Sequence, residues 1–184
     1  MIILNYKEKY GEWSLILVKE ISEKYNVKNL VVTADFAKSE SFDLVTKEVE
    51  GLDIGLMSYV ACFHTFGKLQ ETPWEAHEQM LNVNVLTFLK FFYHYMRVFA
   101  NNDKGAIINI SSLTGVSSSP YNAQYGACKA YILKLTEAVA YEAKNTGVDV
   151  EVIAGKVNKQ AVKHWHCNMS SDDVAAYMGA FYEK

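Results

Sequence analysis

The sequence predicts an α/β fold built on a parallel sheet. Three observations carry this reading. Short apolar runs of strand length alternate with longer runs of helical spacing along the chain. The short runs are apolar on nearly every residue, as in strands covered by helices on both faces. Polar and small residues gather just after those runs: Asp35, the Ser58 to His64 segment, Ser111, Ser112 and Gly155. Ligands in open parallel sheets bind beyond such strand ends.

The elements follow in order. Ile2 to Tyr6 is a short strand-like run. Tyr10 to Tyr25 has helical spacing through Trp13, Leu15, Leu17, Val18 and Ile21. Leu30 to Thr33, followed by Ala34-Asp35, is a second strand. Ser41 to Glu50 is a short helix, stopped by Gly51 in the position that tolerates left-handed dihedrals. Ile54 to Ala61 is a third strand. Thr72-Pro-Trp-Glu75 opens a long helix with a capping box and proline at its first position. That helix runs to about Phe99 and ends in Asn101 to Gly105. Ala106 to Ile110 is a fourth strand, apolar apart from Asn109. Ser119-Pro120 opens another long helix that closes at Gly147, and Val148 to Ala154 is a fifth strand. Ser170/Ser171-Asp-Asp-Val starts a final helix, with acidic residues suited to its first turn.

Composition narrows the function. Half of the 184 residues are apolar and 21% are charged, the balance of a folded globular chain. The length suits a single domain over residues 1–184. The net charge of −3 and the lack of any Lys/Arg block give no footing for nucleic acid or an anionic membrane. Met80 to Ala100 is the most apolar stretch. It contains Asn82, Asn84, Lys90, His94 and Arg97, so it reads as a buried helix and not a membrane span. Met1 to Tyr6 lacks the basic and long apolar regions of a signal peptide. Cys62, Cys128 and Cys167 are odd in number and irregular in spacing, which points to a reducing, cytoplasmic setting.

One constellation carries chemistry. Tyr125 and Lys129, in Tyr-Gly-Ala-Cys-Lys, stand one helical turn apart on one face. An ammonium near a phenol favours the phenolate, so the tyrosine can give and take a proton well below its free pKa of about 10. Ser112, thirteen residues upstream at a strand end, can hold a substrate oxygen. Together they describe carbonyl–alcohol redox chemistry. The bare motif also fits a surface lysine beside a half-buried tyrosine on an amphipathic helix, so its context decides. Asn84 lies in an otherwise apolar helix face, where a buried amide needs a partner.

In this context the chain resembles the short-chain dehydrogenase/reductase family over nearly its whole length. Asp35, in Val-Val-Thr-Ala-Asp-Phe, resembles the aspartate that lies beside the adenine. Asn84, in Leu-Asn-Val-Asn-Val-Leu, resembles the mid-helix asparagine that holds a proton-relay water. Ser112, in Gly-Ala-Ile-Ile-Asn-Ile-Ser-Ser, resembles the catalytic serine, and Tyr125 with Lys129 the catalytic pair. The resemblance implies a Rossmann-like doubly wound parallel sheet in three α/β/α layers. It implies an NAD(P)-dependent oxidoreductase that interconverts a ketone and a secondary alcohol, with a hydroxysteroid or 3-oxoacyl-like substrate. It implies cofactor contacts at Asp35, Tyr59, Ala61, Tyr125, Lys129, Gly155 and Val157. A homodimer or homotetramer through the two long helices is implied as well. No acid suited to a ribose 2′-hydroxyl follows the first strand, and Lys7 leans toward the 2′-phosphate of NADP.

The chain also departs from the family pattern. The opening strand and glycine-rich turn that admit a pyrophosphate are not found; Gly11, Gly51 and Gly55 do not follow a strand in that pattern. Met1 to Tyr6 aligns with the family's second strand, so the fold is expected to be truncated at its N-terminal βα unit and short at its C-terminal end. Leu30 to Asp35 and Ala106 to Ser111 are then expected to lack a neighbouring strand. Tyr59-Val-Ala-Cys62 stands where the family has Asn-Asn-Ala-Gly, and Ala154-Gly155 where it has Pro-Gly. A second reading follows: a degenerate relative that keeps the scaffold but binds no dinucleotide, acting as an interaction protein or inactive. His164-Trp-His166-Cys167 lacks a matching second ligand cluster, so no metal is expected. His64 reads as pocket lining or as plain surface loop. Cys128 reads as a packed helix residue or as a thiol made acidic by Lys129.

Overall fold

The computed structural model describes residues 2–5 and 19–154. Gly155, Val157, the 164–167 segment and the expected C-terminal helix lie outside them. The strands are β1 (Ile2–Asn5), β2 (Leu30–Thr33), β3 (Leu56–Tyr59), β4 (Gly105–Ile110) and β5 (Val148–Ile153). Residues 19–25 are helical, α1. The remaining helices are α2 (Ser41–Glu48), α3 (Trp74–Leu81), α4 (Phe88–Asn102), α5 (Leu113–Val116) and α6 (Ala123–Glu142).

Every strand pair is parallel, as the near-continuous apolar runs require. The strands fall into two groups, β1 with β2 and β3 with β4 and β5. The expected open edge is corrected for β4, while β2 has a neighbour on one side only. β2 pairs with β1 from Leu30 to Thr33. β4 is the central strand of its group, with Leu56 opposite Ala106 on one side and Val148 opposite Gly105 on the other. Among the described residues β4 alone is flanked on both sides; β1, β2, β3 and β5 each keep one unpaired side. No described helix is long and apolar enough to cross a membrane.

The long helix expected from Thr72 is built differently. Thr72 gives its hydroxyl to the Lys68 carbonyl at 3.1 Å, so no capping box forms. Pro73 takes the N-cap position and α3 starts at Trp74. Residues Asn82–Thr87 then form a π-helical stretch before α4. Such bulges often mark functional positions, and this one contains Asn84. The helix expected from Ser119-Pro120 begins later, at Ala123. Tyr121 adopts a left-handed φ of 64°, which breaks helical continuity just after the proline. Gly51 takes the expected left-handed φ, at 78°.

The core lies between β3–β4 and α4. Phe88, Phe92, Phe99 and Ile107 are fully buried, with Met57 and Tyr59 against them. Each such side chain removed from water contributes about 1.5–3 kcal/mol. The aromatic run of α4 is thus core on this face, while Leu86, Leu89 and Tyr93 point outward. Asn109, the polar exception in β4, is fully buried and donates to Thr136 Oγ1 of α6 at 3.0 Å. That bond ties the strand carrying the serine end to the helix carrying Tyr125.

Candidate active site

Two glycines bring α5 onto α6. A Cβ on Gly115 would fall 2.7 Å from the Lys129 carbonyl carbon, and one on Gly126 would fall 2.9 Å from the Thr114 carbonyl oxygen. Only hydrogen fits at either contact. The short helix that follows Ser112 therefore rests on the first turns of the helix that holds Tyr125 and Lys129.

Adjacent serines at the end of β4 diverge, because successive residues of an extended chain point to opposite sides. Ser111 is buried and donates to the Lys129 carbonyl at 2.6 Å. Its role is to fasten α6. Ser112 turns the other way and caps α5. Its Oγ accepts from Thr114 N at 3.3 Å and from Thr114 Oγ1 at 3.0 Å. With its lone pairs so occupied, the Ser112 hydroxyl proton is left to donate outward, to a substrate oxygen.

Lys129 is 2% exposed, and its Nζ donates to the Ile110 carbonyl at 2.8 Å. It stands 5.7 Å from the centre of the Tyr125 ring. Burial pushes the ammonium below its ordinary range, with the Cys62 and Cys128 thiols acting in the opposite direction. Two of its three N–H donors remain for other partners. Two donors beside a phenol suit the vicinal hydroxyls of a ribose, so the nicotinamide end of a dinucleotide fits this corner. Of the two readings of Cys128 the packed helix residue is the one found: burial raises its pKa, and Lys129 offsets that only in part.

Asn84 is fully buried. Its amide nitrogen donates to the Phe63 carbonyl at 2.7 Å and its oxygen accepts from Phe63 N at 2.8 Å. The side chain therefore clamps the segment after β3 rather than facing an open cavity. Tyr59 also differs from expectation. It lies on the core-facing side of β3, is 4% exposed, and gives its hydroxyl to the Val83 carbonyl at 2.7 Å. Burial raises its pKa further. Any contact of this position with a nucleotide thus goes through its backbone. Ala61 is half-buried just beyond the strand end. Asp35 is half-buried and accepts from Ala37 N at 3.0 Å, which steadies the turn after β2.

Two site residues, Thr114 and Asn122, were not singled out by the sequence, and a third, His64, was left undecided. Thr114 orders Ser112. Asn122 places its Oδ1 2.5 Å from His64 Nε2. His64, left open between pocket and loop, stands edge-on to Tyr125 with ring centres 4.6 Å apart. Only the turn residues around Pro120 hinted at Asn122, and nothing local marked Thr114.

The short chain dehydrogenase family profile matches residues 10–166. A 7beta-hydroxysteroid dehydrogenase of Collinsella aerofaciens is 42% identical over 261 residues, taking in 97% of this chain and 99% of the relative. Because this chain has 184 residues, stretches of the relative without a counterpart here fall inside the aligned span. A 7beta-hydroxysteroid dehydrogenase of Mediterraneibacter gnavus is 39% identical, over 98% of this chain and 100% of the relative. A solved structure from work on 7beta-hydroxysteroid dehydrogenase stereoselectivity superposes with a TM-score of 0.79 at 51% identity, covering 96% of this chain and 68% of that one. A short-chain dehydrogenase from Sphingobium yanoikuyae in complex with NADPH shares the fold, at a TM-score of 0.76 and 18% identity.

Proposed function

Since the chain belongs to the short-chain dehydrogenase family, oxidoreductases of the CH–OH/C=O couple, we propose that it interconverts a hydroxysteroid and its ketone with NAD(P). The observation that carries this reading is the corner where Ser112, Tyr125 and Lys129 are fastened together by Ser111 and the α5–α6 contact.

Bound there, a reduced nicotinamide supplies the hydride. The residues of the chain do the rest. Ser112 donates its free hydroxyl proton to the carbonyl oxygen and orients it. Tyr125 passes its phenolic proton to the same oxygen as negative charge develops. Lys129 stabilises the resulting phenolate through its nearby charge and holds the ribose. Asn84 keeps the segment after β3 in place over the site through both bonds to Phe63. Asp35 and the backbone at Tyr59 and Ala61 receive the adenosine side, and Gly155 and Val157 the nicotinamide side. Lys7 favours NADP by its charge. The names of the two curated relatives support a 7β-hydroxysteroid and its 7-oxo partner as the substrate pair.

Leu86, Leu89 and Tyr93 of the π–α4 run and Tyr131 of α6 are exposed apolar residues on the two long helices. They support self-association through those helices, which sedimentation of the purified chain checks: a monomer at all concentrations refutes it. The catalytic reading is tested by titrating the 184-residue chain with NADPH and NADH, following nicotinamide fluorescence. Micromolar binding with turnover of a 7-oxosteroid supports it. No binding at millimolar cofactor contradicts it and points to the scaffold-only alternative.

A further inference from the structure

Among the described residues, two basic side chains stand against the Tyr125 ring, one buried and one exposed. Lys129 is buried and bonded to Ile110. His64 is exposed, with its ring edge-on to Tyr125. The segment that carries it is pinned on both sides. Phe63 is held by Asn84, and Gly67 N donates to the Tyr121 carbonyl at 2.9 Å. Asn122 fixes the ring itself. Its Nδ2 donates to Ser119 Oγ at 3.3 Å, which turns its oxygen toward His64 Nε2, 2.5 Å away. An amide oxygen only accepts, so Nε2 carries a proton. Any proton that His64 gains or loses is therefore on Nδ1.

We propose that His64 acts through Tyr125 as its solvent-side proton partner, held in one tautomer by Asn122. This rests on the ketone–alcohol reading above. In reduction, the carbonyl carbon accepts a hydride from a reduced nicotinamide and the C=O pair moves onto oxygen. That oxygen takes the phenolic proton, and Tyr125 is left as phenolate. The Nδ1 proton of the His64 imidazolium returns to the phenolate through one water, and the neutral imidazole recovers a proton from solvent. Oxidation runs the same steps in reverse. Among the described residues the other titratable groups around this pair are Lys129 and Cys128 of α6, Cys62 of the segment after β3, and His77 and Tyr121, which line the same pocket as Tyr125; the His77 ring is engaged by Gln124 and the Leu69 carbonyl. Lys129 and Cys128 are both buried. The Asn84 amide is committed to Phe63. The His64 ring is exposed and open to proton exchange with water.

His64 is a positioning residue in this scheme, so its test needs more than a rate. His64→Ala is expected to lower kcat for ketone reduction on the order of 10²-fold, with KM little changed and with rescue by free imidazole. His64→Phe keeps a ring against Tyr125 but carries no proton; it is expected to lose as much and to resist rescue. Wild-type kcat in His64→Phe, or a loss in His64→Ala that imidazole does not restore, overturns the proposal. If the wild-type chain turns over no ketone, the ketone–alcohol reading fails and the decision passes to phenol absorbance. There the proton uptake of the Tyr125 phenolate after a temperature jump, isolated by subtracting Tyr125→Phe, is expected to be slower in His64→Ala. An unchanged relaxation rate overturns the pairing of the two residues.

Discussion

Replacing Gly115 with alanine tests the contact that assembles the site. The new Cβ would fall 2.7 Å from the Lys129 carbonyl carbon and 2.8 Å from Ala130 N. Both are backbone atoms of α6, so no side chain can swing aside. Relief to ordinary contact at 3.4 Å requires α5 to move off α6 by about 0.7 Å. Ser112 is the N-cap of α5 and moves with it. Overpacking of this kind costs about 1–3 kcal/mol, which for a chain of this size lowers Tm by roughly 2–12 °C. A misplacement near 1 Å costs on the order of 10²-fold in rate, so kcat is expected to fall by about 30- to 100-fold. Steady-state reduction of a 7-oxosteroid and thermal melting by circular dichroism read the two effects. Gly55→Ala is the control, because a Cβ there meets nothing within 4 Å. In the Gly115→Ala background, Ser112→Ala should cost less than it does in the wild type, since the serine is already out of place. Wild-type kcat and Tm in Gly115→Ala would refute the argument that this close approach builds the site.

Three further outcomes are expected. Tyr125→Phe removes the proton donor and should lower kcat by about 10²–10⁴-fold with little change in the melting curve. Thr136→Val takes away the acceptor of the buried Asn109 amide and should cost about 1–3 kcal/mol in chemical denaturation; an unchanged midpoint would contradict the bond at 3.0 Å. Lys129→Met should alter the pH dependence of stability. The Lys129 pKa is lowered by burial, so the unfolded chain binds more protons between that lowered value and about 10.4. Wild-type stability should rise with pH through that window relative to Lys129→Met. Urea unfolding of both proteins across alkaline pH checks it, and parallel pH curves would contradict it.

Much of the site was legible because its signals are local. The Tyr125–Lys129 spacing fixes one helix face. The strand-then-serine pattern selects Ser112, since Ser111 at the opposite parity turns inward to Lys129. What the sequence did not disclose depends on distant partners. Tyr59 was assigned to the cofactor side by alignment with a family motif. Its parity in β3 sends it instead to Val83, 24 residues away. The start of α6 was misplaced because Pro120 reads as a helix opener, whereas Tyr121 takes a left-handed turn. The capping box at Thr72 failed because its hydroxyl found Lys68 first. Asn84 was marked as a buried amide needing a partner, but that the partner is the Phe63 backbone is a tertiary fact. A free edge was wrongly expected at β4 because strand order is a long-range property. The same distance dependence hid Thr114 and Asn122.

The most direct test of the central claim follows a labelled hydride. The purified 184-residue chain is supplied with reduced nicotinamide cofactor deuterated at the transferring carbon, together with a 7-oxosteroid, and the product is weighed by mass spectrometry. A working Ser112–Tyr125–Lys129 corner predicts a steroid alcohol carrying one deuterium with the wild-type chain, and almost none with Tyr125→Phe. A folded wild-type chain that yields no labelled alcohol with either cofactor would contradict the claim that this corner is a functioning dehydrogenase site.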